Sequence, residues 1–327
     1  MDMDRALRRL RLHELETLTA VVQAGGIRKA ALGLHLSQSA VSKAIAELEG
    51  ALGLRLLERG PKGVVPTDFG AALVRRATSV FDELRGALRE LDHLADPTRG
   101  EVRLGSTETL HAGLVAATTD ALLGRHPRMR IVLESGQAPE LVEHFLMQRL
   151  VDFVVARPYE SPLPPEVEGE PLFRDRLRVV VGLASPWARR RRIDLAELLD
   201  AQWILSRNEM MPQAPLPKAL QAKGLPMPER IISSGSLTAR YSLIRTGRYV
   251  TLVPHSWLPF GPHRSMFKVL ALELPAWHRP TMILTLKGRT LGPAAQLFLS
   301  QLRALAKPLD VDGVGPGTPC GFDSREA

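Results

Sequence analysis

Gln38, Ser39, Ser42 and Lys43 bring an amide, two hydroxyls and an ammonium within six residues. These are the groups that hydrogen-bond to base edges and phosphate oxygens. Further along, Arg59 and Lys62 flank Gly60-Pro61. Their charges suit phosphate neutralisation, which supplies affinity and salt dependence without reading sequence. A second set of polar residues stands where expected strands give way to helices: Ser106 and Thr107, Ser135 and Gln137, Ser234 and Ser236, with Arg157 and Ser206 beside them. At such places free N–H groups and the helix dipole favour anions and polar oxygens. At any single position a helix cap explains the residue equally well. Catalytic patterns are missing: there is no P-loop, HExxH, Gly-x-Ser-x-Gly elbow or strand-to-helix glycine fingerprint. His111, His126 and His144 are scattered. No catalytic residue, cofactor or metal site is expected, and an enzyme with a two-lobed substrate cleft is kept as the alternative.

The elements that must position the first set are helical. Leu12, Leu15, Leu18, Val21 and Val22 follow a helical period that Gly25-Gly26 stops, and Ile27, Ala30, Ala31 and Leu34 begin a second, short one. After a turn at His35 and Leu36, Ser37 can cap a third helix running to about Glu49. Its apolar side is expected to hold Ala40, Val41, Ala44, Ile45, Leu48 and Leu52, which leaves Gln38, Ser39, Ser42, Lys43 and Ala46 facing outward. Two short helices joined by a tight turn place such a helix in a DNA major groove. Arg28, Lys29 and Ser37 are assigned to the same DNA face. Leu54 to Leu57, the basic turn and Val64-Val65 then form a β wing.

From Thr67 to about Leu94 runs a long helix without proline. Leu73, Ala77, Val80, Leu84, Ala87, Leu91 and Leu94 alternate spacings of four and three, the heptad pattern that pairs helices, so this stripe is expected to be a dimer seam. Asp96-Pro97-Thr98-Arg99-Gly100 is the hinge. Beyond it, short β-rich runs alternate with helices and argue for parallel sheets with flanking helices in two lobes. Residues 1–66 are expected to form the winged helix-turn-helix and 67–96 the linker helix. An effector domain at 97–306 divides into lobe I (about 101–160 and 275–306) and lobe II (about 170–274), and 307–327 is a disordered tail.

The chain has 327 residues and a net charge of +8, which favours an anionic partner but locates no surface for it. Residues 1–95 carry roughly 14 Lys/Arg against roughly 12 Asp/Glu, so contacts to nucleic acid must come from placed residues. The single cysteine, Cys320, rules out an internal disulfide framework and fits a reducing cytoplasm. Neither a secretion signal nor a membrane-spanning stretch is expected. A periplasmic solute-binding protein would account for the lobes and not for the N-terminal helices. The Arg189-Arg190-Arg191-Arg192 run is expected to be a solvated loop.

The ordered string Ala30-Ala31, Leu34 to Ile45, Leu48-Glu49, Leu52-Gly53, Leu56 to Arg59 and Thr67-Asp68-Phe69-Gly70 resembles the DNA-binding signature of LysR-type transcriptional regulators. The remaining element order is similar to that family's effector domain, which resembles a periplasmic binding protein. The resemblance implies an all-α winged helix-turn-helix, a linker helix and a two-lobed α/β effector domain. It also implies that Gln38, Ser39, Ser42 and Lys43 face promoter DNA. A homodimer or homotetramer, a small-molecule effector such as an organic acid or a sugar, and RNA polymerase for an activator are the partners it implies. A DNA-binding protein that needs no ligand stays open. Ser39 stands where the family often has Pro, and Lys43 where it often has Arg. A lysine cannot make a bidentate guanidinium contact, which directs Lys43 to phosphate as readily as to guanine.

Overall fold

The computed structural model describes residues 7–60, 63–96, 99–158, 162–260, 266–276 and 280–309. Lys62, Pro97, Thr98, Ser161 and Cys320 lie outside them, as do the Arg59 side chain and residues 310–327. The chain divides into two compact units, Met1–Leu88 and Arg89–Ala327.

In the first unit, α1 (Leu12–Ala24), α2 (Ile27–Gly33) and α3 (Gln38–Leu52) precede a hairpin of β1 (Leu57–Gly60) and β2 (Gly63–Pro66), and α4 begins at Asp68. Leu18, Val21, Val41, Leu48 and Leu56 form the core, and Ala30 and Ala31 let α2 approach closely. The turn from α2 to α3 is made by His35 in the left-handed region (φ 55°), and Leu36 N donates back to Ala31 O. Two side chains then tie the wing to the helices. Glu49 Oε1 accepts from Leu56 N (2.7 Å) and Leu57 N (3.2 Å), and Thr67 Oγ1 donates to Arg55 O (2.8 Å) while accepting from Gly70 N (3.1 Å). Gly70 must lack a side chain, because a Cβ there would stand 2.0 Å from Leu56 O.

Helix α4 (Asp68–Ala95) has the expected length. Its stripe is divided between two environments. Ala77 is 1% exposed in the first unit's core, so it is not available to a partner chain, and half-buried Leu73 packs against the same core with Val74 and Phe81. The expectation that Ala77 joins the seam is thus corrected: the first turns of α4 pack on their own domain. Val80, Leu84, Ala87, Leu88, Leu91 and Leu94 are exposed.

The second unit holds two five-stranded sheets. The first, in order β4-β3-β5-β12-β6, contains β3 (Arg99–Ser106), β4 (Arg128–Ser135), β5 (Phe153–Ala156), β6 (Val167–Phe173) and β12 (Thr281–Leu286). The second, in order β11-β7-β10-β8-β9, contains β7 (Leu177–Gly182), β8 (Gln202–Leu205), β9 (Ile231–Ser233), β10 (Tyr249–Pro254) and β11 (Phe267–Val269). Helix α5 follows β3 as Glu108–Leu110, a π-helical His111–Val115 and Ala116–Arg125. Helix α6 follows β4 as Ala138–Glu140 and a π-helical Leu141–Leu146. Lobe II adds α7 (Pro215–Ala222) and α8 (Leu237–Ile244), and α9 (Pro293–Ala306) returns to lobe I, where Phe298 and Leu302 join Phe153 and Leu114 in the core.

Several expectations need correcting. The sheets are mixed: β12 runs antiparallel to β5 and β6, and β7 runs antiparallel to β10 and β11. Strands β6 and β11 lie outside the sequence pattern, and the expected start of lobe II near 170 falls inside β6, which pairs with β12 of lobe I. The expected helix at Leu195 to Leu199 is a single 3₁₀ turn, Leu195–Leu198, capped by Asp194. Ala40 is exposed, because it occupies the first turn of α3 beyond the reach of the core. Nor does the tail begin at 307: Lys307–Leu309 extend α9 as a 3₁₀ turn, and apolar Leu309 packs into the lobe I core.

Candidate functional sites

Ser37 caps α3, its Oγ accepting from Ala40 N at 3.1 Å and lying 2.9 Å from Ser39 Oγ. The cap explains Ser37 and spends much of its hydroxyl. Gln38, Ser39, Ser42 and Lys43 are all exposed along one stretch of α3, and Arg28 and Lys29 are exposed on α2. Lys43 Nζ is 3.7 Å from Glu47 in an exposed pair, weak enough for a phosphate to replace. The face is polar, while Val41, Ile45 and Leu48 on the reverse of the same helix are buried.

Within the second unit a cleft of about 700 Å³ lies between the lobes. Parallel pairing of β3 with β4 and β5 brings Ser106 level with Ser135 and Val155, so these strands end together at one edge. Thr107, Gln137 and Arg157 line the cleft from lobe I, and Ser206 and Ser234 line it from lobe II. Ser106, Ser135 and Ser236 do not line it, and each departure has a local cause. Ser106 is wholly buried, 3.0 Å from His111 Nδ1. Ser135 is exposed at the end of β4. Ser236 caps its own helix by accepting from Ala239 N at 3.3 Å.

Two charged clusters were not legible in the sequence. Arg240 on α8 donates to both carboxylate oxygens of Glu209 (3.0 and 2.6 Å), to Ser234 O (3.1 and 2.9 Å) and to Leu252 O (3.2 Å). This satisfies its guanidinium within lobe II. Arg157 stands at the crossings between the lobes, with Nη2 3.6 Å from Asp175 Oδ2 and 3.3 Å from Thr281 Oγ1. Asp175 belongs to the outgoing crossing and Thr281 to the strand after the return, and Arg176 bridges to Ala276 between them. Asp175 also accepts from Ser256 N at 3.1 Å and from the Ser256 hydroxyl. In the sequence these are charges far apart along the chain, Asp175 even lying between Arg174 and Arg176, and spacing cannot pair them across the fold.

The cleft lining is charge-balanced, with Arg157, Arg207 and Arg240 against Glu108, Asp175 and Glu209. The remaining polar lining consists of hydroxyls and amides, among them Thr107, Thr109, Asn208, Ser206 and Ser234, which can both donate and accept. Burial pushes the His111 imidazole below its ordinary value of 6.5, against the opposing pull of Glu108 and Glu134. Burial also raises the Tyr241 phenol well above its usual range. Among the described residues no cluster of His, Cys, Asp and Glu could hold a metal, and no helix is long and apolar enough to cross a membrane.

A family model described as bacterial regulatory helix-turn-helix protein, lysR family, matches residues 12–71, and one described as LysR substrate binding domain matches residues 95–307. The chain is 27% identical over 302 residues to the HTH-type transcriptional regulator GbpR of Azospirillum brasilense, covering 90% of this chain and 86% of that protein. It is 26% identical over 262 residues to the transcriptional dual regulator GltC of Bacillus subtilis, covering 80% and 85%. Its fold is similar to that of a full-length OxyR variant from Pseudomonas aeruginosa (TM-score 0.56, 20% identity, 94% and 96% covered). It is also similar to that of full-length CbnR complexed with target DNA (TM-score 0.50, 20% identity, 91% and 100% covered). The family and these sequence relatives are transcriptional regulators and not enzymes. With both of its units matched in order by the two domains that define the family, the chain belongs to the LysR-type transcriptional regulators.

Proposed function

We propose that this chain acts in the cytoplasm as a dimer or tetramer that binds promoter DNA sequence-specifically, with a small molecule in the interlobe cleft setting the geometry of DNA binding and the transcriptional output. In this reading the N-terminal part of α3 enters the major groove, where Gln38, Ser39, Ser42 and Lys43 meet base edges and phosphates. Arg28, Lys29, Arg59 and Lys62 hold the backbone. Leu84, Ala87, Leu91 and the exposed residues beside them pair α4 with a second copy. RNA polymerase is the further partner if the output is activation.

The observation that carries the proposal is one chain that presents an exposed polar face on a capped α3 and, in its other unit, a polar, charge-balanced cleft of about 700 Å³. That volume suits a small organic ligand. Its hydroxyls, amides and guanidinium groups can bind ligand oxygens, and organic acids and sugars are the classes to screen. A ligand shifts the regulator only through a difference in affinity between two lobe arrangements, so closure of the cleft on a ligand is the event that must be coupled to DNA.

A thermal-shift screen of sugars, aliphatic acids and aromatic acids tests the sensor half of the reading. A true cleft ligand at about a hundredfold its Kd stabilises the fold by about 2.7 kcal/mol. The Thr107→Val/Gln137→Leu variant should lose that shift. A compound that shifts the variant as much as the wild type binds elsewhere and contradicts the assignment.

A further inference from the structure

The first turn of α8 is held from two different lobes. Helix N-termini leave their first N–H groups without partners inside the helix. Ser236, in lobe II itself, accepts from Ala239 N at 3.3 Å. Leu237 N donates instead to Glu108 Oε1, at 3.1 Å, from the opposite wall of the cleft. Glu108 is the first residue of α5, directly beyond β3 in lobe I. Its backbone is fixed by Thr107, whose N–H donates to Val155 O (3.4 Å) and whose carbonyl accepts from His111 N (2.8 Å).

The other cleft carboxylates are committed elsewhere: Glu209 to Arg240, and Asp175 to Arg157 and Ser256. Glu108 makes no ion pair among the described residues, and its hydrogen-bond partner is a backbone amide at the positive end of a helix dipole. The lobes also meet beside this bond. Tyr241 of α8 stacks on Trp257 (5.1 Å between centroids), and Gly113 in the π-helical turn of α5 has no side chain where a Cβ would come within 3.1 Å of Trp257 Cδ1. That junction is aromatic and close-packed, and the Glu108 bond adds a charge-assisted, exchangeable contact to it at the cleft wall.

We infer that Glu108 is a latch that joins the two lobes across the cleft, and that an effector oxygen reaching α8 must take Leu237 N from it. The inference rests on the cleft being the effector site and names the interlobe bond that a ligand there would replace. Exchange of one acceptor for another at a single amide links occupancy to the lobe arrangement. The incoming group takes over a bond that lobe I previously supplied, and Glu108 is released to accept from a ligand hydroxyl or ammonium.

Hydrogen exchange resolved to single amides, on the full-length chain without added ligand, separates the two anchors. A charge-assisted bond of this kind supports a protection of about tenfold or more. E108A should raise exchange at Leu237 by at least about tenfold and leave Ala239 at its wild-type rate. E108Q, which keeps a neutral acceptor, should give a smaller rise at Leu237 alone, and S236A should raise Ala239 alone. Wild-type exchange at Leu237 in E108A overturns the latch. An equal rise at Leu237 and Ala239 in both Glu108 variants also overturns it, because that result makes Glu108 a general packing residue. Either failure leaves cleft binding in the thermal-shift screen standing, so the two readings fall separately.

Discussion

Arg240→Ala removes the guanidinium that joins α8 to the Asn208–Met210 turn and to β10, and it leaves Glu209 as a buried carboxylate. Arg240 and Glu209 are 5% and 8% exposed, so little solvent screens the pair. Breaking a buried pair by removing one partner costs about 3–5 kcal/mol, most of it the penalty of the charge left behind. Ser234 O and Leu252 O also lose their guanidinium donor, which keeps the figure toward the upper end. Trp187, Trp203 and Trp257 lie in the second unit and none of the four tryptophans falls between residues 1 and 88, so tryptophan fluorescence does not follow the first unit in a chain where one unfolding free energy would be ill-defined. With a urea m-value of about 1–3 kcal/mol/M, the tryptophan midpoint should fall by about 1 M or more. Glu209→Leu combined with Arg240→Leu should cost less than the sum of the single changes by more than about 1 kcal/mol. A cost below about 1 kcal/mol for Arg240→Ala, or strict additivity, would refute the claim that the pair organises lobe II.

The α4 stripe gives two opposite outcomes. Leu91→Glu, at a side chain 60% exposed, should leave both units folded and weaken self-association by about a hundredfold or more in sedimentation, since each copy loses about 1.5–3 kcal/mol of leucine burial. Ala77→Glu should unfold the first unit, seen as lost helical circular dichroism, because its carboxylate would be buried unpaired. Gly70→Ala should destabilise the same unit by about 2 kcal/mol or more, since its Cβ collides with the Leu56 carbonyl in backbone that cannot yield cheaply. Burial lowers the His111 pKa in the fold, so as pH falls below 6.5 the unfolded chain takes up this proton first and stability decreases. His111→Gln should flatten the tryptophan-reported stability between pH 6.5 and the lower folded value, and an unchanged slope would count against burial as the cause.

The N-terminal unit was legible because its signals are local. Ser37 capping, the Ala30-Ala31 contact and the polar face from Gln38 to Lys43 each follow from spacing within one or two turns. The long helix was equally plain, but periodicity cannot tell a residue buried in its own domain from one kept for a partner, and Ala77 and Leu91 therefore read alike. In the sensor, alternation located most strands and two ends of the cleft. Strand direction escaped, since β12 comes back from lobe II and enters the first sheet against its neighbours. The hydroxyls failed where a nearer partner claimed them: Ser106 by His111, Ser236 by its own helix. The groups that organise the cleft, Arg240 with Glu209 and Arg157 with Asp175, are 31 and 18 residues apart in sequence, and only the fold brings them together.

Selection of binding sites from random duplexes shows whether the exposed face of α3 reads DNA. The wild-type protein should enrich a sequence with two half-sites whose centres lie about 34 Å, or a multiple of that, apart. The Gln38→Ala/Lys43→Ala variant, folded by circular dichroism, should bind the enriched duplex at least about tenfold more weakly and lose its preference over scrambled sequence. No enrichment by the wild type, or equal affinity and selectivity in the variant, would contradict the account.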